Sequence, residues 1–151
     1  MNDGTLALVA FLGVILGAIL TSLTGFWLEN ERRKRDRAAL HASALSALGS
    51  ELAENVKALE RAVAQGDWAL EPRRAAWDEA RGVLQLTDAQ LGAVRDAYGT
   101  AESLHAAALV TLATIQSLDG IGKRRRSEEM RALATTTRDA FIEASAALGT
   151  V

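Results

Sequence analysis

From Leu6 to Leu28 the chain carries no Asp, Glu, Lys, Arg or His: LALVAFLGVILGAILTSLTGFWL, 23 residues in a row. As a helix at ~1.5 Å per residue the run is about 34 Å long, against ~30 Å of bilayer hydrocarbon. It therefore reads as a transmembrane helix. A cleaved signal peptide is the competing reading, but the leader MNDG has no basic residue and GFWLENERRKR is a stop-transfer pattern without a small-residue cleavage site. Asp3 is the one charged side chain before the run, whereas Arg32, Arg33, Lys34, Arg35 and Arg37 follow it. Because basic flanks stay on the cytoplasmic side, the expected location is single-pass in the inner (plasma) membrane, N-terminus outside and C-terminal domain cytoplasmic. Phe26 and Trp27 fit an interfacial aromatic belt. The expected division is a tail over 1–5, a span over 6–28 and a helical-bundle domain over 29–151.

Within the run Gly13, Gly17, Thr21 and Gly25 recur every four residues, which stacks small side chains on one ridge where a second helix can approach closely. A homo-oligomer or a membrane-complex partner fits this spacing, and so does chance, since Gly is common in such helices.

The rest of the chain is built for helices. It is rich in Ala, and the whole sequence holds one Pro and three Phe, little material for a sheet. His41, Leu45, Leu48, Leu52, Asn55, Leu59 and Ala62 keep heptad spacing, so the first helix is expected to continue as a coiled-coil-like stalk to Gln65, where Gly66 stops it. Pro72 is placed in the first turn of a short helix reaching about Leu86, with Trp68 and Trp77 plugging the end of the bundle. Thr87-Asp88-Ala89-Gln90 is a capping box opening a second long helix with the stripe Leu91, Val94, Tyr98, Ala101, His105, Ala108, Leu112, Ile115. Asp119-Gly120-Ile121-Gly122 is expected to close it, leaving Lys123 to Arg126 in a loop. Ser127 then caps a last helix with the stripe Met130, Leu133, Thr137, Phe141, Ala144, Leu148, ending near Gly149. The fold class is thus all-α: a transmembrane helix continuing into a cytoplasmic antiparallel bundle of three main helices and one short one.

The basic stop ERRKRDR, ELAEN (Glu51 to Asn55), Trp77 and L-x-x-V-x-x-x-Y (Leu91 to Tyr98) together resemble small uncharacterised bacterial membrane-anchored proteins with a cytoplasmic helical bundle. The resemblance implies architecture and transfers no activity, substrate or catalytic residue.

A net charge of −2 argues against a nucleic-acid partner, and the absence of Cys removes disulfides, thiolate catalysis and Cys-ligated zinc. His41 and His105 each fall on an apolar stripe. They read first as two histidines hydrogen-bonded to neighbours, and only second as a bundle-crossing metal or proton site helped by Glu51, Asp96 or Glu102. Two His without an E-x-x-H pair fall short of a helical di-metal pattern, so no metal or cofactor is expected. Asn55 at a core position is read as a buried amide fixing register, completing a polar core with His41 and His105. Glu51, Glu54 and Glu60 read as a solvated face beside Lys57 and Arg61. Gly120-x-Gly122-Lys123 lacks P-loop spacing, and no catalytic residue or small-molecule substrate is evident.

Two basic runs remain: Arg32, Arg33, Lys34, Arg35, Arg37 and Lys123, Arg124, Arg125, Arg126. They fit an anionic-lipid patch, or a topology signal plus a solvated loop. The expected function is a non-enzymatic, membrane-anchored accessory or scaffold protein assembling with itself or a larger membrane complex. The alternative is a small membrane effector or regulator of phage or toxin–immunity type.

Overall fold

Two glycines close the two longest helices, and both do so with the left-handed backbone that a side chain disfavours. Gly66 at φ 70° follows α1 (Asp3–Gln65), donating its N–H to Ala62 at 2.8 Å, and Gly149 at φ 68° follows α4 (Gly120–Leu148). Between them lie α2 (Ala75–Ala80), α3 (Asp88–Thr114) and a single 3-10 turn, Ile115–Ser117. This computed structural model describes residues 3–68 and 70–149, with side chains from residue 14 onward. Among the described residues the fold is all-helical, with no strand.

The chain divides into two units, Met1–Leu40 and His41–Val151, and α1 contributes to both. No helix among the described residues is long and apolar enough to cross a membrane. Described side chains of the uncharged run extend from Val14 to Leu28, 15 residues or about 22 Å of helix against ~30 Å of hydrocarbon. Its first part, Leu6 to Gly13, lies outside the described side chains. The expected transmembrane helix and single-pass inner-membrane location are corrected on this finding.

In the second unit α1 contributes Leu48, Leu52, Leu59 and Ala62 to the core, α3 contributes Val94, Ala97, Tyr98, Ala101, Leu104 and Ala108, and α4 contributes Met130, Ala134, Phe141, Ala144 and Leu148. The buried positions of α4, from Met130 through Thr137 to Leu148, alternate steps of four and three, the spacing that keeps one face toward a neighbour. Leu133, expected on this stripe, is half-buried beside Ala134, which is fully buried. In α3 the expected stripe drifts. His105 is half-buried and Leu112 is 52% exposed, while Leu104, Ala108 and Thr111 face inward. A straight helix turns ~20° per heptad away from a strict seven-residue repeat, so a heptad stripe written from Leu91 to Ile115, about seven turns, ends off the core.

α3 and α4 are antiparallel. Gln90 Nε2 donates to the Ala147 carbonyl (3.1 Å), Thr137 Oγ1 to that of Thr100 (3.4 Å) and Arg126 Nε to Thr111 Oγ1 (2.9 Å). Ten and then eleven residues forward along α3 are matched by ten and eleven back along α4. Alanines at 97, 101, 108, 134 and 144 leave room for Tyr98 and Phe141, whose rings meet edge to face at 5.3 Å and 86°.

Two boundaries differ from expectation. Pro72 lies ahead of α2, which ends at Ala80 because the Ala80 carbonyl accepts from both Val83 and Leu84 N–H, turning the chain. Asp119 does not close α3; it caps α4, accepting from Gly122 N–H at 2.7 Å. Lys123 to Arg126 therefore stand in the opening turns of α4, and Ser127 lies within the helix.

Candidate functional site

Thr87 opens α3 as its sequence dictates, with its hydroxyl accepting from Gln90 N–H and the Gln90 side chain accepting from Thr87 N–H, a complete capping box. α2 has no such device. Its N-cap, Arg74, makes no side-chain cap hydrogen bond. The amides of its first turn, which have no partner within the helix, are satisfied from another one: Glu51 on α1 accepts from Ala76 N–H at 2.7 Å and from Trp77 N–H at 3.2 Å. A carboxylate suits this end of a helix, where amide dipoles converge. The Tyr98 hydroxyl donates to the same carboxylate, and the Tyr98 ring stacks on Trp77 at 5.9 Å and 14°. Burial and the Glu51 carboxylate together push the Tyr98 phenol far above its ordinary 10.0, since both disfavour a phenolate.

One turn further along α1, Asn55 is 2% exposed and spends its amide on the backbone of Arg73. Its Nδ2 donates to the Arg73 carbonyl at 2.8 Å, and its Oδ1 accepts from Arg73 N–H at 2.9 Å. Glu54 pairs with the Arg73 guanidinium, Arg74 with Glu102 on α3 and with Asp78 at 3.3 Å. His105 Nδ1 lies 3.1 Å from the Leu70 carbonyl. Six side chains from α1 and α3 thus clamp the segment between Gly66 and Leu86, a strap whose Trp68, Trp77 and Ala80 are buried in the core. Among the described residues no buried side-chain polar atom lacks a partner. Each contact either completes a backbone hydrogen bond or offsets a charge, which is the chemistry of positioning.

Several candidate residues take different places from those their spacing suggests. Asn55 is buried as expected, but it fixes a connection rather than a helix register. His41 and His105 are half-buried, so Asn55 alone of the three is fully inside. Glu51 and Glu102 are engaged in the clamp, and among the described residues no group of three or more His, Cys, Asp or Glu is placed to hold a metal. Glu51, read from sequence as a solvated charge, is 7% exposed. The signal was its place: it precedes Leu52 directly and stands one turn before Asn55, on the flank of the buried stripe.

On the ridge, Gly13 lies outside the described side chains. Gly17, Thr21 and Gly25 are exposed, a methyl group at either glycine would meet no atom within 4 Å, and Thr21 Oγ1 donates back to the Gly17 carbonyl at 2.8 Å. Arg32, Arg33, Lys34, Arg35 and Arg37 are exposed in the first unit, Arg33 on Glu29 at 3.1 Å and Arg35 on Glu31 at 3.8 Å. The second basic run, Lys123 to Arg126, belongs to the other unit. Compared with protein-family models, with curated proteins and with solved structures, the chain finds no match.

Proposed function

We propose that the chain is a non-enzymatic accessory or scaffold protein that assembles, with itself or within a larger complex, through the apolar face of α1. The observation that carries this reading is exposure. Val14, Leu16, Ile19, Leu20, Leu23, Phe26, Trp27 and Leu28 each leave half or more of their surface uncovered. An uncovered apolar stretch of this length marks an interaction surface in a folded protein.

The test is the mass of the purified full-length chain in mild detergent, by light scattering, for the wild type and for Leu23→Glu, which puts a charge in the middle of that apolar stretch. A wild type heavier than one chain, or in fixed stoichiometry with a complex, and a variant shifted toward the single chain are expected. A wild type that runs as one chain with no stoichiometric partner sinks the proposal.

A further inference from the structure

At the start of α4 an acidic unit turns a basic face outward. His41–Val151 carries twelve Lys and Arg against fifteen Asp and Glu, and four of those twelve cations stand in a row at 123–126. Arg125 and Arg126 are held by Glu129, at 3.2 and 3.0 Å, and Arg126 also donates to Thr111. Lys123 and Arg124 are exposed and make no ion pair among the described residues, Glu128 one turn beyond Arg124 included. Ile121, one turn before Arg124 and Arg125, is 79% exposed. Helix geometry puts positions three and four apart on one face, so an uncovered isoleucine is flanked by cations.

We infer that this tip is a docking surface for an anionic lipid bilayer, contacted from its headgroup side and not crossed. Charge complementarity selects the occupant. Arg124, on the face of Ile121, supplies an unneutralised cation for lipid phosphate, Lys123 supplies a second from the adjoining side of the same turn, and Ile121 enters the headgroup layer, whereas a nucleic acid would leave Ile121 without a partner. Asp119 turns its carboxylate to Gly122 N–H, where the converging amide dipoles of the helix end offset part of its charge. The inference is independent of assembly through α1.

The chain has no Cys, and a side chain at Gly120 meets no atom within 4 Å, so Gly120→Cys in the full-length protein accepts a polarity-sensitive fluorophore at the tip itself. Vesicles of mixed phosphatidylglycerol and phosphatidylcholine should shift its emission to the blue, and high salt should reverse the shift. In the background Lys123→Gln with Arg124→Gln, apparent affinity read from this shift should fall about 25-fold, at about fivefold for each cation removed. Because the fluorophore reports its own surroundings, adhesion through α1 does not imitate the result. The inference is overturned if no shift occurs, if pure phosphatidylcholine gives the same shift, if the double variant behaves as the parent, or if RNA produces the shift as well as lipid does.

Discussion

Residues 14–28 and 48–62 belong to one helix and meet opposite fates. The first stretch is uncharged and its apolar side chains are exposed, Phe26 at 74%. The second holds Glu51, Glu54, Asn55, Lys57, Glu60 and Arg61, yet Leu48, Leu52 and Leu59 are buried at 1% or less. Hydropathy alone therefore does not place a residue inside. What buries the second stretch is a patterned face with α3 and α4 to pack on, and what admits Glu51 and Asn55 is a full set of hydrogen-bond partners.

The largest expected contrast is between two phenylalanines. Phe141→Ala empties a fully buried site under the Tyr98 ring and should lower unfolding free energy by about 4 kcal/mol in urea titration. Phe26→Ala should stay within about 0.5 kcal/mol. A comparable loss at both positions would break the comparison. Next comes Glu51→Ala, which strands two amides and a phenol inside the protein and should cost about 3 kcal/mol, whereas Glu54→Ala, an exposed ion pair, should cost under ~1 kcal/mol. Equal losses would mean that Glu51 acts as a surface charge. Asn55→Leu keeps the branching of the side chain but leaves the Arg73 N–H and carbonyl unmatched, and about 2 kcal/mol is expected.

The smallest effect is one of pH. The Tyr98 phenol is held protonated in the fold, so its contribution is fully present below pH 10.0 and is lost as pH rises above the unfolded value, where the unfolded chain ionises and the fold resists. Stability measured from neutral to alkaline pH should bend downward beyond pH 10.0. Tyr98→Phe should remove that bend, while lowering stability at neutral pH by freeing one acceptor position on Glu51. A bend that survives in the variant would assign it to other groups.

Those parts of the fold governed by near neighbours were legible in the sequence. Gly66 and Gly149 end helices because the backbone there has positive φ, and Thr87 with Gln90 closes a box over three residues. Asp119-Gly120-Ile121-Gly122 was legible only in part, because Asp before Gly serves as a helix stop and as an N-cap, and the residues that decide between them lie on the next helix. The clamp was not legible. Glu51, Glu54 and Lys57 have the spacing of a solvated helix face, and the amides that bind Glu51 lie 25 and 26 residues away. The uncharged run misled for a related reason: its length in sequence spoke for a span, and the described helix does not supply one.

The borrowed cap on α2 has a consequence in time as well as in space. Six residues are too few to hold a helix in water, because nucleation fixes several dihedrals for a single hydrogen bond. The carboxylate that completes α2 comes from α1, and the hydroxyl that locks it comes from α3, 47 residues beyond Glu51. α2 is therefore expected to form as α1 and α3 come together and to fray as they part. Its two bound amides, Ala76 and Trp77, serve as a clock for the meeting of the two long helices, and their exchange with solvent is paced by an event elsewhere in the chain.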